Sequence, residues 1–172
     1  WRATHWSFVA EQLRARDYDS ATRYASRVFA RTTSPLDAAQ VAGLCEYVSR
    51  AGLAEQAEPA IMFARRAVEL EPTSPDHHER LARTLRSCGD LDAPALRADA
   101  TQHVQIACRL DPQNPNRWLV AAELCDDLER CDLAREYAAQ AIACDDALEP
   151  QSLYHLTPAE RGWLDRLVAK AP

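Results

Sequence analysis

Arg80, Arg83 and Arg86 recur at i, i+3 and i+6, so in a helix their guanidiniums share one face. Three planar, permanently charged forks on one face can hold a carboxylate, a phosphate or an acidic peptide segment bidentately. The competing reading is a solvated basic face neutralised by neighbouring acids, the usual fate of exposed charge runs. His77 and His78 raise a metal reading, which needs further ligands at set geometry, and no Cys or carboxylate group is spaced for it. His78 reads as a packing residue, and His5, His103 and His155 stand isolated. The six cysteines form no CxxC, and a chain of 172 residues needs no staples. They are expected as free, mostly buried thiols; Cys125 and Cys131 straddle a turn and are not expected to bridge. GxSxG, P-loop, GxGxxG and HExxH are all missing from the chain, so neither catalysis nor a cofactor is expected.

Composition narrows what must position these residues. The chain is 47% apolar with only 4 Gly, which suits a packed helical core and not a Gly-rich all-β sandwich. A net charge of −6 gives no general attraction to nucleic acid or anionic lipid, so any functional charge is local. No run of 18 apolar residues exists, so membrane insertion by this segment is not expected. The chain begins at Trp1 and is read as a segment of a larger protein, which could itself be membrane-anchored. Free cysteines favour the cytoplasm.

Two stretches are near-copies. Ala67-Val68-Glu69-Leu70-Glu71-Pro72-Thr73-Ser74-Pro75 and Ala107-Cys108-Arg109-Leu110-Asp111-Pro112-Gln113-Asn114-Pro115 align at an offset of 40 residues (107 − 67). Each reads as the last turns of an amphipathic helix, an acid-Pro stop and a Pro-bounded start of the next helix. Further breaks fall at Asp17, near Ser34-Pro35, at Gly52, at Gly89-Asp90, near Arg130 and at Glu149-Pro150. Between them lie about eight helical segments of roughly 13 to 20 residues, joined as antiparallel hairpins. Thr157-Pro158-Ala159-Glu160 then predicts a capping box and a ninth helix. Its stripe of Trp163, Leu164, Leu167 and Val168 would cover the open end of the array, leaving Arg161, Asp165 and Lys170 polar.

Helix pairs with a period near 34 residues, small residues between them and a closing Pro resemble tetratricopeptide repeats. The fourth unit, about 116–146, is clearest: Trp118, Ala121-Ala122, Cys125, Ala134, Ala138 and Ala141-Ile142 take the family's slots, with Asp146 in place of the closing Pro. The third, about 76–112, supplies His78, Leu81-Ala82, Leu85, Gly89, Leu91, Ala100, Val104, Ala107 and Pro112. The second, about 38–72, supplies Leu44, Val48, Gly52, Ala60, Ala64, Ala67 and Pro72. The first, about 3–35, has Phe8, Tyr18, Ala21, Ala25 and Val28-Phe29. Equivalent positions lie 39 (28 to 67), 40 (67 to 107) and 34 (107 to 141) residues apart. The surplus falls after Gly52 and Gly89, and predicts second helices or turns about one to two turns longer, with Pro59 and Pro94 in a first turn or at a kink. The resemblance implies an all-α fold: a right-handed superhelical array of antiparallel pairs, a TPR-like α-solenoid over 1–172, with a capping helix at about 157–170.

It also implies a concave groove built mainly by the first helix of each pair, which commonly holds an extended or helical peptide. Glu79, Arg80, Arg83 and Arg86 would lie in or beside it, with Glu46 and Arg50 on one side and Glu123, Asp126 and Asp127 on the other. The groove would then alternate in sign, or an internal ion-pair network would neutralise it. The Lys/Asn clamp by which some relatives hold C-terminal carboxylates is missing, its slots carrying Ala39, Ala42, Glu46, Glu79 and Arg83. Trp6, in a first helix crowded by Trp1 and Phe8, faces the groove as an aromatic anchor or covers the array's open end. The function expected is a non-catalytic scaffold for a protein or peptide partner, acidic where it meets the arginines. The alternative is an assembly element of a larger export or polysaccharide machine, acting through its convex face or ends. Nucleic-acid binding is not expected of so acidic a chain.

Overall fold

A computed structural model describes residues 2–52, 54–88 and 93–169, with Arg2 placed as backbone only. Among the described residues there are nine α-helices and no strand. They are α1 (Arg2–Arg14), α2 (Tyr18–Phe29), α3 (Pro35–Arg50), α4 (Ala57–Leu70), α5 (Pro75–Cys88), α6 (Pro94–Leu110), α7 (Pro115–Asp127), α8 (Cys131–Asp146) and α9 (Pro158–Ala169). Helices α3, α5, α6, α7 and α9 all begin on proline, whose fixed φ suits a first turn and whose missing N–H is not needed there. Side-chain caps complete several starts: Asp17 accepts from Ser20 N–H, and Ser34 from Asp37 N–H at 3.2 Å. Thr157 and Glu160 close the expected capping box, Glu160 taking the Thr157 N–H at 2.7 Å and giving its own to Thr157 Oγ1 at 3.3 Å.

Two helix ends use an unexpected residue. After α1 and α7 the chain turns through a left-handed position, occupied by Arg16 (φ 59°) and Glu129 (φ 57°). In both, the next amide reaches back to close a six-residue turn, Asp17 N–H to Gln12 O and Arg130 N–H to Cys125 O, as in a Schellman cap. Glycine normally fills that slot because a Cβ is strained there. Glu129→Gly is expected to raise the free energy of unfolding by about 1 kcal/mol, read by urea denaturation, since Glu129 is exposed and the strain is relieved.

Each helix packs on the next, and the first helices of successive pairs also touch directly, α3 on α5 and α5 on α7. Small residues make this approach possible. Ala21, Ala25, Ala42, Ala60, Ala64, Ala100, Ala121, Ala138 and Ala141 are fully buried, with Phe29, Phe63, Leu81, Leu85 and Leu124 filling the space beside them. Helix α9 lies on α8 and buries Leu164 and Leu167. Two details of its stripe differ from expectation: Val168 is 42% exposed and Trp163 only partly buried. Arg161, expected to stay polar, ties α9 to α8 through Asp145 (2.9 Å) and Asp146 (2.8 Å).

The surplus residues of the second unit do not lengthen its second helix. Helix α4 has 14 residues, fewer than the 16 of α8, and the extra length lies in the connection, where a 3₁₀ turn spans Ala54–Gln56. In the third unit α6 reaches 17 residues, while Gly89, Asp90 and Leu91 lie outside the described residues, as do Trp1 and Lys170. Pro59 and Pro94 both occupy first turns.

Candidate functional site

The first helices line one side of the array. From α3, Leu36, Ala39, Gln40, Gly43 and Tyr47 fall at spacings of three and four, a single stripe, and this stripe faces Trp6, Val9 and Leu13 of α1 and Arg80 of α5. Together they bound a groove of about 640 Å³ with mostly apolar walls. Leu36 and Tyr47 are each 58% exposed there, an uncommon state for large apolar groups on one face. Trp6 is held in place: its indole stacks on Phe29 at 4.8 Å and its Nε1–H donates to Asp37 Oδ1 at 3.3 Å. Tyr47 meets Tyr18 edge-on at 5.9 Å, and the hydrogen bond between the two phenols holds the Tyr47 proton above its usual range. The groove continues past α5, where Asp76, His77, Glu79, Arg83 and Arg117 form a second, polar stretch.

The three arginines of α5 have different surroundings. Arg86 donates from Nη1 to Glu123 at 2.8 Å and from Nε to Asp127, both on α7. Burial opposes its charge, but the two carboxylates outweigh it and hold the guanidinium above its usual value. Arg83 folds back on Glu79 one turn earlier at 2.8 Å. Arg80 makes no ion pair among the described residues. Its guanidinium crosses α3 at Gly43, where a Cβ would stand 2.9 Å from Nη1. Gly43 is therefore the residue that lets a cation lie along the apolar groove.

The other candidates divide between joints and walls. Glu46 accepts from Ser87 Oγ at 2.9 Å and Thr84 Oγ1 at 3.3 Å, joining α3 to α5. Arg50 is exposed at the far end of α3, beside Glu46 and Tyr47. Glu123 is bound to Arg86, and Asp126 sits partly buried on α7. Arg117, not singled out from the sequence, joins more elements than any of these. It is 12% exposed and reaches Asp76 and Glu79 on α5 and Asp111 before α7.

A signal for Arg117 was present in the repeat. Asp76 to Arg117, Arg86 to Asp127 and Glu46 to Ser87 are all separated by 41 residues, about one repeat of this chain. In a stacked array, residues one period apart become lateral neighbours, so opposite charges at that spacing meet.

His103 is not isolated: its Nδ1 lies 2.9 Å from Nδ1 of His78. All six cysteines are free, with Cys45, Cys108, Cys125 and Cys144 buried, and burial pushes the Cys108 thiol up to about 12. Among the described residues no cluster of His, Cys, Asp or Glu is arranged to hold a metal ion, and no helix is long and apolar enough to cross a membrane.

No protein-family model matches the chain, and no curated protein matches it by sequence. Solved structures do match it. YrrB, described as a TPR protein with an unusual peptide-binding site, superimposes with a TM-score of 0.63 at 14% identity, over 83% of this chain and 68% of its own. This chain folds as a tetratricopeptide-repeat array. TTC0263, a thermophilic TPR protein of Thermus thermophilus, gives the same TM-score at 17% identity over 97% of this chain and 81% of its own. The MamA protein also gives 0.63, at 17% identity over 96% and 85%. Within the TPR array, the apolar groove and Arg80 belong to the first two and a half units, and ion pairs between helices run from α4 to α9.

Proposed function

We propose that this array is a non-catalytic scaffold that holds a partner peptide or helix in the groove between α1, α3 and α5. The observation that carries the reading is the Arg80 guanidinium, without an acidic partner among the described residues, beside exposed Leu36 and Tyr47. A segment that fits offers an apolar side chain to the cleft and a carboxylate to Arg80, a charge-assisted contact partly shielded from water. The peptide-binding site attributed to YrrB supports the same use of the fold. Arg83 and Arg86 enter the reading as structural residues, because their charges are already matched.

A peptide array probed with the purified chain tests this, followed by binding titrations of the best sequence. Arg80→Glu is expected to weaken it by about 10- to 100-fold, whereas Arg83→Glu changes affinity by less than about threefold. Gly43→Ala is the finer probe. Its methyl must displace Nη1 but leaves the charge, and Ala favours a helix interior by about 0.5 to 1 kcal/mol. Weaker binding with raised stability is therefore expected. Unchanged affinity in both Arg80→Glu and Gly43→Ala would remove Arg80 from the account.

The alternative, assembly through the ends of the array, is favoured by Leu153 and Tyr154. They are 97% and 58% exposed on the connection between α8 and α9, and Asn116 Nδ2–H holds the Tyr154 carbonyl at 2.9 Å. Light scattering across a concentration series tests its homomeric form, and a single monomeric mass at every concentration removes it.

A further inference from the structure

Away from the groove, four elements converge on two imidazoles. His78 of α5 points Nε2 at the Pro72 carbonyl (2.9 Å) and Nδ1 at His103 Nδ1 of α6 (2.9 Å). His103 points Nε2 at Asp99 Oδ1 (3.2 Å), and Asp99 Oδ2 accepts from Arg65 Nη2 of α4 (2.6 Å). Both rings are largely buried, His78 with 4% of its surface exposed. The partners fix the hydrogens. A carbonyl only accepts, so His78 carries hydrogen on Nε2, and a carboxylate only accepts, so His103 carries hydrogen on Nε2. The contact between the two Nδ1 atoms needs one hydrogen more. Three ring hydrogens are one more than two neutral imidazoles possess, so the closed arrangement holds one extra proton, neutralised by Asp99.

A second proton has no place in it. Two Nδ1–H groups facing each other at 2.9 Å would clash and repel, and both other ring nitrogens are already donors. We propose that His78 and His103 form a one-proton latch that fastens the Pro72 turn and α5 to α6, and that mild acid opens it by adding a second proton. That second proton is resisted at His103. Burial, partly offset by Asp99, and then the neighbouring His78 and Arg65 charges hold His103 below the ordinary imidazole value of 6.5. A histidine whose folded value is depressed stabilises the fold above the unfolded value. That contribution is lost as pH falls below about 6.5. The other charged groups at this joint are His77 and Glu71, 3.1 Å apart on the same turn. Their pairing is unaffected by a substitution at position 103, so it cancels in a comparison of variants.

The experiment is the pH dependence of stability for the intact chain and for His103→Gln, whose amide still reaches His78 but takes up no proton. From pH 6.5 to 5.0 the wild-type unfolding equilibrium constant is expected to rise at least about threefold more than that of His103→Gln, because only the wild-type pair resists a second proton. Parallel profiles would overturn the latch. Nitrogen-15 spectra of the wild-type histidines give a second reading that needs no variant. Two separated titration steps shared by His78 and His103, with an Nε2-protonated His78 at neutral pH, are expected. Two independent titrations near 6.5 would overturn it. Amide exchange at His78, whose N–H bonds Ser74 O at 3.4 Å, should accelerate below pH 6 in the wild type alone.

Discussion

Phe29→Ala is expected to lower the free energy of unfolding by about 4 kcal/mol, the middle of the range for a buried aromatic. Phe29 closes α2 with only 2% of its surface exposed, beneath α1 and among the fully buried alanines of the first pairs. Its ring supports the Trp6 indole at 4.8 Å and meets the His5 ring edge-on at 6.5 Å. The cavity collapses only in part, because the alanines of the core have no rotamers to fill it and Trp6 is tied to Asp37. The same change removes the surface on which Trp6 rests, so the groove loses a fixed wall. Urea denaturation measures the first effect, and a shift and broadening of tryptophan emission reads the second. A loss under about 1.5 kcal/mol would mean that α1 is docked by other contacts.

Arg117→Ala is expected to cost about 3 kcal/mol, near the lower end for breaking a buried ion pair from one side. Three carboxylates lose their cation, and Glu79, 15% exposed, keeps only Arg83, which is itself half in water. Burial opposes the charge on Arg117, but Glu79 and Asp76 together overcome it and hold the guanidinium far into its charged form. Replacing it with methionine is expected to cost less than alanine, because the stem's packing is retained while the same acids are left alone. Arg117→Lys keeps the charge and loses the fork, so it should recover only part of the loss. A double-mutant cycle with Asp76→Ala isolates the contribution of that one pair; Asp76 is exposed, so a small coupling there is expected beside the larger one to Glu79.

How much of this was legible in the chain follows from what each feature depends on. The helices were, because prolines at positions 35, 75, 94, 115 and 158 and the twin acid-Pro stops act locally. The buried alanines of α4, α6 and α8 were legible through the likeness to tetratricopeptide repeats, whose small-residue slots they fill. The left-handed Arg16 and Glu129 were not, because nothing in either side chain favours that backbone and only the six-residue amide return imposes it. At the site, Arg80, Arg83 and Arg86 were found together, yet their neighbours divide them: Arg86 meets α7, Arg83 its own helix and Arg80 the face of Gly43. Such partners are fixed by the lateral register of stacked pairs, which a reading along one helix does not contain. Arg117 and the His78–His103 contact were missed for the same reason, their partners lying 41 and 25 residues away in the chain.

The joints of this array differ in what is added to a shared apolar core. Between α1 and α3 the contacts are aromatic and apolar, with Trp6, Phe29, Tyr18 and Tyr47. From α4 to α9 guanidiniums on carboxylates are added to the apolar joints. Sulfate strengthens apolar contacts while any concentrated salt screens exposed ionic ones. Cooling weakens the former, and the hydration cost of burying charge falls on warming. Sulfate thus strengthens the apolar core shared by both ends, while its screening weakens the guanidinium–carboxylate joints between α4 and α9.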